Sequence, residues 1–357
     1  MQDKKQHGVT AANREYARYD QVRKEQIYRL AEQEAGEDFD TEYCVRTCDI
    51  EGFLHGDDAD KRAFARQLGT ALQEIGFAIL VGHGIDSSLH TEVEDRTLEI
   101  FTRFPLGEKM RYRARRHGSI NQGYFPIQET SDIHPDLVEG WVFCRRAFML
   151  PGGARVASAD IWPDPAFEPV FRQLVRANEA LILPIMQSIL TFLEHDPHLY
   201  DARLTHPNIG LRLNYYPPVD EAADRSGAGR LLGHEDVGMF TLLPAPRIEG
   251  LQVLNRRNMK WVRLAAPPGS YVLNTGDYVQ RITNDILPST THRVSKPRDP
   301  ALRAQPRLSF PMNVYVWEDE MLEVLPGLPD PKYEPVRAIE FHTKSTSKFY
   351  GDDYAVT

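Results

Sequence analysis

The sequence predicts an α+β chain with a mainly β core, a jelly roll or barrel flanked by N-terminal helices and backed by one long helix. Three observations carry that prediction. Apolar residues recur at helical spacing only up to Glu194. Beyond it the chain turns to short β runs separated by Gly, Pro and Asn turns. The composition, 41% hydrophobic and 26% charged, is that of a folded protein and excludes disordered, collagen-like and coiled-coil classes.

Residues 1–42 read as a helical extension, with a helix from Asn13 to Ala35 whose Tyr16, Tyr19, Arg23, Ile27 and Leu30 form a narrow stripe. A surface helix and a homodimer contact are both open to it. Residues 43–164 form an N-terminal α/β region. It opens with a strand at Val45–Ile50 and a helix N-capped by Asp58, whose Phe64, Leu68, Leu72 and Ile75 share one face. A buried strand Phe77–Val81 follows, then a helix from Asp86 that Pro105 stops, then a loop-rich stretch to Asp164. Residues 165–337 carry the long helix, Pro165 to Glu194 with a kink at Pro184, and eight strands. These are Ile209–Tyr216, Gly238–Leu243, Leu251–Leu254, Trp261–Leu264, Tyr271–Asn274, Tyr278–Ile282, Thr290–Val294 and Arg307–Trp317. Residues 338–357 form a C-terminal segment with a role in covering a site open to it, and the whole reads as one integrated domain.

A formal net charge of −9 opposes nonspecific attraction to phosphate backbones, so nucleic acid is not an expected partner. No membrane partner is expected either: Leu181 to Leu193 is broken by Pro184, Gln187 and Thr191 and falls short of the roughly 20 residues a bilayer requires. The N-terminus MQDKKQHGVT has no apolar run of a secretory signal, which makes a cytoplasmic location the expectation. Cys44, Cys48 and Cys144 are too few for a disulfide scaffold and read as reduced packing residues.

The chemistry concentrates in the β region. His234 and Asp236, two apart on an extended chain, point the same way while Glu235 faces elsewhere. His292, from a distant strand, supplies a third donor. Two imidazoles and a carboxylate on one face of an octahedron suit iron(II) that leaves three positions open. Zinc could take the same side chains and would favour hydrolysis. Arg307 and Ser309 share one strand face and could capture a carboxylate. Arg212, Asn214 and Tyr216 alternate with Ile209, Leu211 and Leu213, a polar face that is either solvent-exposed or part of a site.

In order and spacing, Asn214-Tyr-Tyr-Pro217, His234-x-Asp236, Asn274-Thr-Gly-Asp277, His292-Arg-Val294 and Arg307-x-Ser309 resemble the isopenicillin N synthase-like family of non-haem iron(II), 2-oxoglutarate-dependent oxygenases. Upstream, Phe77-Ala-Ile-Leu-Val-Gly-His83-Gly-Ile, Phe104-Pro-Leu-Gly-Glu-Lys109 and Gly123-Tyr124 extend the resemblance, which covers Val45 to Pro335. It implies a double-stranded β-helix core, iron held by His234, Asp236 and His292, and 2-oxoglutarate held at its far carboxylate by Arg307 and Ser309 with Tyr216 and Asn214. It also implies oxidation of a small-molecule substrate, of natural-product type, by dioxygen with decarboxylation of 2-oxoglutarate to succinate. Glu235 stands where many relatives carry Thr, and residues 1–42 and 338–357 match no pattern of the family. Tyr124 and Arg212 are candidates for substrate contact. Two other readings remain: an iron(II) oxidase of the same family that uses no 2-oxoglutarate, and a binding module without chemistry.

Overall fold

The strand Phe77–Val81 is a run of five apolar residues, four of them fully buried, and it lies between two neighbours in a sheet. The computed structural model describes residues 39–127, 137–151, 161–219 and 230–350. The helix expected at 13–35 lies outside the described residues, and with it the dimer contact.

In chain order the strands of the two larger sheets are β1 (Thr47–Asp49), β2 (Phe77–Val81), β3 (Arg115–His117), β4 (Ile120–Phe125), β5 (Glu139–Cys144), β6 (Asn208–Tyr216), β7 (Leu231–His234) and β8 (Phe240–Pro244). They continue with β9 (Leu251–Asn255), β10 (Lys260–Arg263), β11 (Tyr271–Thr275), β12 (His292–Val294), β13 (Arg307–Ser309) and β14 (Met312–Tyr315). Among the described residues they build a major sheet ordered β1-β2-β11-β8-β14-β6-β5-β4-β3, with β13 also paired to β6, and a minor sheet ordered β10-β9-β12-β7. All pairings are antiparallel except β1 with β2. The two sheets and their flanking helices are the expected jelly roll.

The helices start and stop where local chemistry dictates. Asp57 rather than Asp58 caps the Asp58–Ile75 helix, accepting from the amides of Ala59 (2.7 Å) and Asp60 (3.1 Å) while Asp60 returns the bond to the Asp57 amide (3.1 Å). Asp86 caps the Ser87–Arg103 helix through the Ser88 amide (2.9 Å). The long helix, Glu168–Phe192, continues through Pro184. It buries Phe171, Leu174, Leu181, Ile185 and Ile189.

Three expectations are corrected. The stretch before Asp164 holds β3, β4 and β5, which extend the major sheet beyond β6. Tyr278–Ile282, aromatic and β-branched, is part of a helix, Asp277–Ile282. Its leading amides donate to the loop between β7 and β8, Asp277 to the Asp236 carbonyl (2.8 Å) and Tyr278 to that of Val237 (3.2 Å), so tertiary bonding overrides strand propensity. The final strand is split at Phe310-Pro311 because Pro311 has no amide for a ladder: β13 pairs with Asn214–Tyr216, and β14 with Asn208–Leu211 and with β8. The described part of the C-terminal segment is a helix, Ala338–Tyr350, whose Phe341 and His342 pack on Tyr278.

The Asp58–Ile75 helix approaches the long helix so closely at Gly69 that an added Cβ would lie 2.0 Å from the Phe192 ring. Helix preference alone favours Ala over Gly by about 1 kcal/mol. Overpacking a well-filled contact costs roughly 1–3 kcal/mol. Gly69→Ala should therefore lower the melting temperature measured by calorimetry, whereas an unstrained helix position would raise it.

Candidate active site

The minor sheet sets two of the three donors. His234 ends β7, His292 begins β12, and the two are direct cross-strand partners with ring centroids 4.4 Å apart. The Nδ1 of His292 faces the Thr290 carbonyl at 3.1 Å, so a proton on Nδ1 leaves the Nε2 lone pair for a metal. Phe77 packs edge-on against the His292 ring at 5.3 Å.

Asp236 comes from the turn between the sheets. Its Oδ2 accepts from Thr241 Oγ1 at 2.5 Å and from Asn274 Nδ2 at 2.8 Å, two residues directly opposed on β8 and β11 of the major sheet. Its Oδ1 lies 3.9 Å from His234 Nε2 and 4.0 Å from His292 Nε2. Burial opposes ionisation of Asp236, but the two imidazoles and the Asn274 and Thr241 hydrogen bonds outweigh it and hold the carboxyl below its usual range. One ligand atom from each of His234, Asp236 and His292 falls within 4.8 Å of the others, so a single ion can meet all three. Glu235 faces away, as expected, and accepts from Thr291 Oγ1 at 2.6 Å.

A second polar group lies along β6 and β13, where Arg307 opposes Tyr216 and Ser309 opposes Asn214. Arg307 is 1% exposed, its guanidinium 4.9 Å from the Tyr216 ring centroid. Its Nε donates to the Ile248 carbonyl at 3.1 Å, but its buried Nη1 has no hydrogen-bond partner among the described residues. Burial pulls the arginine's pKa below its ordinary value, against the opposing influence of Tyr216. A buried cationic nitrogen left unpaired is costly unless an anion meets it. Hydrogen-bond direction adds to this. Arg212 Nε donates to Asn214 Oδ1 (2.8 Å), and Asn214 Nδ2 donates to Ser309 Oγ (3.3 Å), so the serine proton remains to be donated beside the guanidinium. Tyr216 also packs with Val294 and Leu231, themselves cross-strand partners on β12 and β7, which joins this group to the strands of the histidines.

The two substrate candidates separate. Arg212 lies on the inner face with Asn214 and Tyr216, against Gly140 and the Phe125 ring. Tyr124 opposes Trp141 and, through it, Leu213, which places it on the other face of the sheet. There it is buried and donates to Glu139 (2.6 Å), which Lys109 also meets at 2.5 Å. Tyr124, expected as a substrate contact, thus lies on the opposite face of the sheet from Arg212, since side chains alternate faces along a strand. Thr241, Asn274 and Asn313, whose Nδ2 donates to Thr241 Oγ1 at 2.6 Å, were not singled out as individual site residues from sequence. The available signal was a single polar residue, Thr241 on β8 and Asn313 on β14, within an otherwise apolar run.

The donor set fits iron(II), with positions left open, and the unpaired Arg307 nitrogen beside Ser309 fits the far end of a dicarboxylate. Residues 207–312 match the model of the 2OG-Fe(II) oxygenase superfamily, and residues 45–165 match that of the non-haem dioxygenase in morphine synthesis N-terminal region. The proline hydroxylase buaE of Petromyces alliaceus is 30% identical over 264 residues, 71% of this chain and 81% of the relative. The 2-oxoglutarate-Fe(II) type oxidoreductase ppzD of Metarhizium rileyi is 25% identical over 346 residues, 87% and 92% of the two chains. A solved structure assigned to the 2OG-Fe(II) oxygenase family, from Caulobacter crescentus, superposes with a TM-score of 0.71 at 30% identity, covering 85% of this chain and 98% of that one. With its fold, its His-Asp-His cluster and these relatives in agreement, the chain belongs to the 2OG-Fe(II) oxygenase superfamily, enzymes that use iron(II) and 2-oxoglutarate.

Proposed function

We propose that His234, Asp236 and His292 hold the iron, and that Arg307 and Ser309, with Asn214 and Tyr216 behind them, hold the far carboxylate of 2-oxoglutarate. The convergence of the three donors within 4.8 Å carries the reading. Bound iron(II) supplies the activation of dioxygen that oxidises an unactivated C–H bond while 2-oxoglutarate becomes succinate and carbon dioxide. The chain's own residues orient and exclude. Asp236 contributes one negative charge to the site. Arg307 pairs the co-substrate's carboxylate where water is excluded, which strengthens the bond and fixes the acid's direction along the inner face. The substrate is a small molecule, hydroxylated, desaturated or cyclised, entering along the face that carries Arg212. A relative named for proline hydroxylation supports an amino acid or natural-product intermediate as its class.

Asp236→Ala should abolish stoichiometric iron(II) binding in an anaerobic titration while circular dichroism stays that of the folded protein, and His234→Ala and His292→Ala should do the same. Full iron occupancy in the Asp236 variant would sink the ligand assignment. Arg307→Lys keeps the charge but loses the planar fork, so the concentration of 2-oxoglutarate needed for half-saturation should rise about tenfold or more, the equivalent of roughly 1.5–3 kcal/mol. Tyr216→Phe should cost less. The readout is the visible charge-transfer band that 2-oxoglutarate gives with iron(II) in the absence of oxygen; a band at the same concentration in wild type and the Lys variant would remove Arg307 from the pocket.

A further inference from the structure

We propose that Asn313 and Thr241 are positioning residues, a two-step hydrogen-bond relay that selects Oδ1 of Asp236 as the atom offered to the metal. The inference deepens the iron reading above and rests on it. It starts from the register of the major sheet. Asn313 on β14 is the direct partner of Thr241 on β8, and Thr241 is the direct partner of Asn274 on β11. Direct partners share a face, so the three polar side chains form a row across the centre of the sheet, on the side where Asp236 meets them. The row sits among apolar neighbours: Met312 and Val314 on β14, Phe240 and Leu242 on β8, Val272 and Leu273 on β11 are buried.

Hydrogen-bond polarity gives the row a direction. An ionised carboxylate can only accept. The 2.5 Å contact between Thr241 and Asp236 Oδ2 therefore uses the threonine proton. With that proton committed, Thr241 Oγ1 can only accept along the sheet, and it meets Asn313 Nδ2 at 2.6 Å. The amide of Asn313 is thereby oriented, nitrogen toward Thr241, and polarises the hydroxyl that it supports. Asn274 Nδ2 occupies a second lone pair of the same Oδ2 at 2.8 Å. Oδ2 thus carries both hydrogen bonds, while Oδ1 is the carboxylate atom facing the Nε2 atoms of His234 and His292 at 3.9 and 4.0 Å. Without the relay only the Asn274 bond holds Oδ2, so the carboxylate rotates more readily and either oxygen, or both, can turn to the metal. Outer partners of this kind change metal affinity by roughly 10–100-fold.

The test is anaerobic titration of the full-length protein with iron(II). Thr241→Val, close in shape and without the hydroxyl, should weaken binding by roughly 10–100-fold with an unchanged melting temperature of the metal-free protein. Thr241→Ser should restore affinity. Asn313→Leu should weaken it by a smaller factor, and Asn313→Asp, whose ionised carboxylate cannot donate to Thr241, should resemble Asn313→Leu. Because the relay acts in series, the Thr241→Val/Asn313→Leu double variant should bind no more weakly than Thr241→Val alone. Wild-type affinity in Thr241→Val or in Asn313→Leu, losses that add in the double variant, or failure of Thr241→Ser to rescue would each overturn the relay. If Asp236→Ala still binds iron stoichiometrically, the ligand assignment itself fails, which is a separate result from any of these.

Discussion

One carboxylate is divided between two layers. Asp236 is fastened through Oδ2 to β8 and β11 of the major sheet, while Oδ1 meets two histidines of the minor sheet. That division constrains much of the architecture. The histidines must be cross-strand partners, which requires β7 and β12 to pair in the observed register. The loop bearing Asp236 must return sharply into β8, and the helix Asp277–Ile282 holds it there by donating its first amides to the loop's carbonyls. Two donors on paired strands of one sheet and a third on a tether make a site that the fold sets up in advance, rather than one that an ion must gather.

The polar group around Arg307 obeys a different constraint. A guanidinium 1% exposed, with one nitrogen unpaired, is a group that water would solvate better than protein does. It persists because the surrounding strands are held by their own apolar packing, and because the ring of Tyr216 and the carbonyl of Ile248 stabilise part of it. The unpaired nitrogen is the remainder, and its chemistry fits one end of a dicarboxylate.

Much of this was legible in the sequence, since motifs spaced along one strand or turn carry their geometry with them. His234-x-Asp236 and Arg307-x-Ser309 fix their own facing through the two-residue period of an extended chain. The β runs Phe77–Val81 and Tyr271–Asn274 were readable for the same reason. What failed depended on partners distant in sequence. Tyr278–Ile282 has the composition of a strand, and only the carbonyls of Asp236 and Val237 make it a helix. β4 and β5 are short and interrupted by Gly123 and Gly140, so alternation could not reveal them. Tyr124 adjoins a recognisable glycine, but its facing follows from pairing with Trp141. Thr241 and Asn313 show in sequence as single polar letters, and their meaning lies in a register that links positions 72 residues apart.

The order of the major sheet has a consequence for how the chain could be divided. Two separate family models match the two halves, yet β2 of the first half runs beside β11 of the second, with Phe77 opposite Asn274 and Leu80 opposite Tyr271. Amputating residues up to Val81 would leave β11 as a raw edge of five buried residues, its outward amides and carbonyls without partners. It would also strip Phe77 from the ring of His292. Such a fragment would carry every donor of the catalytic motifs and would be prone to aggregate along that edge, so the first half acts as the selvedge that keeps the second from unravelling into its neighbours.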